Sequence, residues 1–240
     1  MMTIIQEQTF DKERELYGIH DTFIKHCTFD GPADGESALK ECRNVRVEDS
    51  FFDLRYSLWH DRDLVLARCE LTDDITLENC TAESKYFLMR NHGVRAKNLE
   101  LSAKYSLQYI EDGLFEDCVI DSKDAFWHAK NVTVKNSILG GEYLAWYSEN
   151  LTFENCRIIG TQPFCYCKNL TLSNCEMVDC DLAFERSSVQ ATITTPVVSI
   201  KNPLAESRIS LPAAGSIIRD IPEATGEIAL TKAERDVRSA

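Results

Sequence analysis

Short alternations of apolar and polar residues recur along the chain at a fixed spacing. Val132, Val134, Asn136 and Ser137 are matched by Leu151, Phe153, Asn155 and Cys156, and again by Leu170, Leu172, Asn174 and Cys175. Each unit reads apolar, any, apolar, any, Asn, Cys or Ser. A two-residue period rich in β-branched and aromatic types predicts a short, half-buried strand rather than a helix. The closing position recurs every 19 residues at Cys80, Leu99, Cys118, Ser137, Cys156 and Cys175, and at the same interval upstream at Ser50 and Cys69. A second apolar column follows it: Leu16, Leu39, Leu58, Leu88, Leu107, Phe126, Ala145, Phe164 and Ala183.

One such unit cannot bury its own apolar face, so the period predicts stacked coils, a β-solenoid. Parallel pairing at about 4.8 Å per coil turns every column into a ladder of like side chains. The Asn/Asp before each Cys/Ser then forms a ladder of amides at a turn. Residues 1–230 are expected to form one all-β domain of roughly nine coils. About residues 3–17 cap one end, and irregular coils begin near Thr194, with 203–221 covering the other end. A mobile tail is expected over 231–240.

Composition narrows the partners. A formal net charge of −13 disfavours nucleic acid. No apolar stretch approaches a membrane span, and the first residues lack the pattern of a signal peptide, so a cytoplasmic location is expected. Of ten cysteines, Cys27, Cys69, Cys80, Cys118, Cys156 and Cys175 lie on the Cys/Ser ladder and read as buried free thiols. Cys165 and Cys167 form a lone Cys-x-Cys with only Cys180 and His128 as plausible neighbours, so no metal or other cofactor is expected.

Longer strings carry a resemblance: DGESALKE (34–41), RYSLWH (55–60), KYSLQY (104–109), KDAFWHAKNVTVKNS (123–137), GEYLAWYSENLT (141–152) and GTQPFCYCKNL (160–170). Over roughly residues 8–228 the chain resembles the bacterial family known as domain of unknown function 3737. That resemblance implies a single-stranded right-handed parallel β-helix of the pectin-lyase-like class, and no established activity. One departure stands out. Cys80 follows Cys69 after only 11 residues, eight short of the period, where the family has additional coils. If the motif columns stay aligned, Asp73 and Asp74 must lie a full strand apart, a gap that one peptide of about 3.8 Å does not cross. Either 71–75 distorts the stack or the earlier coils are displaced.

The unusual side chains cluster around the second apolar column. With Leu107 and Phe126 inward, strand alternation sends Trp59, Gln108, Trp127, Trp146 and Cys165 outward, beside a charged column that includes Arg55, Lys85, Lys104, Lys123 and Glu142. The opposite parity makes His60, Tyr109, His128, Tyr147 and Tyr166 the outward column. Stacked lysines repel unless neutralised, and exposed aromatic faces suit sugar rings, so an acidic sugar or glycan is the expected ligand. Arg55, Trp59, His60, Lys104, Gln108, Trp127 and Trp146 are the substrate-binding candidates. As an enzyme the protein would be a glycoside hydrolase, with Asp53, Asp121 and Asp124 as carboxylate candidates, or a polysaccharide lyase, with Lys123 or Arg55 as base and His128 or His60 as acid. The alternative is a non-catalytic scaffold, with Glu83, Asp121, Asp124 and Glu142 neutralising the lysines and the aromatic face forming a homo-oligomer contact.

Overall fold

The computed structural model describes residues 2–30, 38–53, 58–59, 62–67, 69–71, 76–78, 81–88, 90 and 93–231. The chain folds as a right-handed parallel β-helix of about ten turns, with about 19 residues per turn. Each coil has three sides. The first side carries Arg95–Lys97, Leu114–Glu116, Thr133–Lys135, Thr152–Glu154 and the start of Leu170–Val178. The second carries Thr81–Phe87, Glu100–Ser106, Val119–Ser122, Ile138–Gly140, Arg157–Ile159 and the end of Leu170–Val178. Successive coils pair parallel and one period apart, Val134 on Phe153 and Phe153 on Leu172. Alternation sets the faces here: Val134, Phe153, Leu139 and Ile158 are buried, whereas Thr133, Lys135, Thr152 and Glu154 face outward.

The corner between these sides is built as the motif predicts. Asn136, Asn155 and Asn174 adopt left-handed φ of 50°, 53° and 54°, a conformation that Asn accepts more readily than most residues. Their amides donate from coil to coil at 3.2 and 2.9 Å. The Cys/Ser that follows donates back to the carbonyl two residues earlier, at 3.2 Å for Cys118, 2.7 Å for Ser137 and 3.3 Å for Cys156. A second amide ladder, Asp112, Asn131, Asn150 and Asn169, is linked at 2.9 Å throughout. Its signal lies in the sequence as an asparagine five residues before each of the first set.

The third side is a chain of turns. Leu107, Phe126, Ala145 and Phe164 have φ between 58° and 64°, and Tyr109, His128, Tyr147 and Tyr166 have φ between 55° and 61°. With left-handed residues at every second position, strand parity does not govern which way the intervening side chains point. Phe184, rather than Ala183, continues the inward aromatic column: its ring stacks on Phe164 at 5.9 Å, because this coil is one residue longer, with Cys167 N–H bound to Ser187 Oγ. Gly141 and Gly160, at φ of 130° and 129°, bring the backbones of successive coils together. A Cβ at these positions would lie 2.2 Å from Ser122 O and 2.0 Å from Gly141 O.

The short interval is resolved by a change of side. In the N-terminal coils, Thr3–Gln6, His20–Lys25, Arg43–Glu48 and Arg62–Ala67 form one sheet, and the Lys25, Cys27, Thr28 sequence after His20 makes them the motif counterparts of the first side. Yet Arg62–Ala67 lies against Thr81–Phe87 on the second side, and Leu58–Trp59 lies against Thr76–Glu78 on the first. The spatial coil keeps its length; the motif advances by one side. Eight residues are close to one side of a three-sided 19-residue coil, so the described strands of the earlier coils are displaced by one side relative to the later ones. Residues 72–75, like Cys80, lie outside the described residues.

Toward the C-terminus the stack continues: Val189–Ile193, Arg208–Leu211 and Glu227–Leu230 extend the first side in parallel. At the far end the Arg219 guanidinium donates to the carbonyls of Ala224 and Gly226, and Asn202 exchanges hydrogen bonds with Asp220.

Candidate functional site

The third side gathers many of the side chains that the sequence singles out, in an order different from the strand alternation. Gln108 and Cys165 are buried, and Trp127 and Trp146 are half-buried. Members of this column reach carbonyls of the next coil: Gln108 Nε2 reaches Asp124 O at 3.4 Å, Trp146 Nε1 reaches Gln162 O at 2.6 Å, and Cys165 Sγ reaches Leu182 O at 3.7 Å. The Trp127 Nε1 is buried without a partner. The opposite column is exposed at Tyr109 and Tyr147 and half-buried at His128 and Tyr166. Tyr109, His128, Tyr147 and Tyr166 stack nearly parallel, with centroids 5.1, 5.2 and 4.6 Å apart, and Arg90 covers Tyr109 at 5.4 Å. Stacking occupies ring faces. What this strip offers solvent is ring edges and phenol hydroxyls, so these four rings do not form a platform for a sugar ring.

The charged column is similarly self-contained. Lys123 Nζ lies 3.2 Å from Glu142 and 5.0 Å from the Tyr143 centroid. The hydrogen bond to Glu142 raises the Lys123 pKa, which favours its protonated form. Lys104 sits over its neighbour Tyr105 at 5.3 Å. Burial pushes the Asp124 carboxyl up and the His128 imidazole down; a neutral imidazole at pH 7 accepts a proton rather than delivering one. Asp121 is exposed at the end of the second side, beside Gly140. Arg55 and His60 lie outside the described residues, and Trp59 is described only as part of the strand Leu58–Trp59. That strand abuts the first side, so its motif column does not continue into the Lys104 to Tyr109 segment.

A different feature has the form of a binding site. On the first side, over the coils from Thr171 to Ala229, an open trough encloses about 400 Å³. Two outward rows line it. One runs Thr171, Gln190, Arg208, Glu227, in register from strand to strand; the other is formed by Ser173, Thr192, Ser210 and Ala229. The trough begins where the pairing of Leu170–Val178 with Val189–Ile193 shifts register between Leu172 and Cys175, and such an irregularity bends a sheet. Gln190 is held by Glu206 O at 2.7 Å, and Arg208 lies 3.5 Å from Glu227. The sequence offers no local signal for this trough, since hydroxyl residues on a strand look like ordinary solvent-facing positions.

Comparison with known proteins identifies the lineage. Among solved structures, the chain is similar to the A-module of the mannuronan C-5 epimerase AlgE4 of Azotobacter vinelandii, with 10% identity, a TM-score of 0.41 and coverage of 95% of this chain and 87% of that one. It is also similar to the Agl-KA catalytic domain, at 11% identity and a TM-score of 0.31, covering 95% of this chain and 56% of that one. A further similarity is to the catalytic domain of a GH87 α-1,3-glucanase, at 10% identity and a TM-score of 0.32, covering 96% and 63%. No curated protein matches the sequence significantly. The model of the family described as "Protein of unknown function (DUF3737)" matches residues 3–74 and 70–230, and the chain belongs to that family.

Proposed function

We propose that the protein binds an extended glycan in the trough of the first side, and that binding rather than bond cleavage is its task there. The observation that carries this reading is the open 400 Å³ trough with its two rows of hydrogen-bonding side chains. Hydroxyl, amide and guanidinium groups repeat at the coil spacing of about 4.8 Å. An extended saccharide presents hydroxyls along both edges at a comparable repeat, so one chain laid along the axis meets both rows. Lys123, the candidate base, lies on another side of the coil and is paired with Glu142 at 3.2 Å. Titration calorimetry with oligosaccharides of six or more units checks the proposal: Thr171→Val combined with Gln190→Ala should weaken binding at least tenfold while leaving the thermal midpoint unchanged. A panel without any binder, or binding indifferent to both substitutions, excludes the trough.

The stacked strip supports a second reading, a scaffold that pairs through the third side. Tyr109 and Tyr147 are 38% and 44% exposed, and tyrosine is enriched at interfaces. If that reading holds, Tyr147→Ala lowers the molar mass measured by light scattering.

A further inference from the structure

Resting on the trough reading above, we infer that the ligand is an uncharged glycan, and that the trough discriminates against uronates and other acidic sugars. The inference comes from how charge is distributed along the two outward rows of the first side.

Followed upward from Arg95, one row reads Arg95, Leu114, Thr133, Thr152, Thr171, Gln190, Arg208, Glu227. The neighbouring row reads Lys97, Glu116, Lys135, Glu154 and then Ser173, Thr192, Ser210, Ala229. Below the trough the second row alternates in sign, and its upper pair is closed, with Lys135 3.2 Å from Glu154. At Ser173 the charges stop, and across the trough this row holds no ionisable group. In the first row the single lining cation, Arg208, faces Glu227 at 3.5 Å.

A polyuronate carries one carboxylate per sugar, and a site suited to it offers countercharge along the repeat. Here one guanidinium serves the whole trough and already has a carboxylate beside it. Exposed ion pairs of this kind contribute little, so the pair alone is no lock. The exclusion comes equally from the surroundings, because a chain of net charge −13 repels an approaching polyanion. An uncharged saccharide meets neither obstacle, and the Thr, Ser and Gln rows satisfy its hydroxyls without burying charge.

The test sets neutral oligosaccharides (glucan and mannan fragments) against oligogalacturonate and oligomannuronate of equal length, by calorimetry at low ionic strength. The expected result is neutral binding that is lost at least tenfold in the Thr171→Val, Gln190→Ala double variant, with uronate binding at least tenfold weaker in the native chain. Glu227→Gln, which frees Arg208, should raise uronate affinity severalfold with little effect on the neutral ligand. Tighter uronate binding that disappears in Arg208→Ala would overturn the charge inference and leave the trough as the binding site. Absence of binding by both classes, or binding untouched by every trough substitution, would overturn the trough itself. Circular-dichroism melts of each variant separate loss of binding from loss of fold.

Discussion

At the scale of single residues, the tightest constraint lies at two corner glycines. Gly160 holds φ near 129° with Gly141 O where a methyl group would stand. Gly160→Ala should therefore destabilise by about 1–3 kcal/mol, seen as a lower denaturant midpoint, whereas alanine at the open Gly18 position meets no atom within 4 Å and pays only for its φ of 67°. The buried thiols form the second constraint. Burial pushes Cys118 up to about 11 and Cys165, Cys167 and Cys180 up to about 12. In the unfolded chain these thiols ionise near pH 8.5–9, roughly. Their contribution to stability is then complete below about pH 9 and declines between about pH 9 and 12, as the unfolded state sheds protons that the native state retains. Urea midpoints measured across that range should fall, and less steeply for Cys165→Ser. Thiol reagents at neutral pH should label these four positions only after unfolding. Residue-level expectations failed where the backbone was unconventional. Phe126, Ala145 and Phe164 are poor candidates for left-handed φ, and nothing in their identity announces it, so strand parity does not anticipate that Gln108 is buried and that Trp127 and Trp146 are half-buried against the Tyr/His strip.

At the scale of elements, the unit that repeats is the corner. Two ladders of amides, one of Cys/Ser hydrogen bonds and one of stacked rings each repeat the same contact over successive coils between Tyr109 and Cys175. The amide ladder before each Cys/Ser was legible because it depends on one side chain meeting its equivalent 19 residues away. Asn155 donates to Asn136 and accepts from Asn174. Asn155→Ala thus removes two contacts and the residue best suited to φ of 53°, and should cost about 1–3 kcal/mol, whereas Asn155→Gly restores the backbone term and costs less. Equilibrium unfolding of the pair separates the two contributions. The trough was not legible, since it arises from a register irregularity between two strands and from the neutrality of the positions facing outward beyond it.

At the scale of the whole molecule, motif columns and spatial columns diverge below Thr76. By motif, Trp59 shares a column with Gln108 and Trp127; in the fold its strand lies against Thr76–Glu78, which pairs with Arg95–Lys97. Spin labels at positions 59 and 97 should report backbones two strands apart, about 10 Å, whereas labels at 59 and 109 should be farther apart because 109 lies on the third side. The reverse order would show that the motif columns run straight through.

A helical thread offers the appropriate image for that shift. Removing a third of a turn from a screw leaves its pitch and diameter intact, and every mark cut on the shaft below simply faces a new direction. Deletions of one side are for this reason mild events for a β-helix as a folded object and drastic ones for whatever its surface displays. Two chains of this architecture can agree at every motif and still present different combinations of side chains to a ligand, the difference being written only in the number of residues between two cysteines.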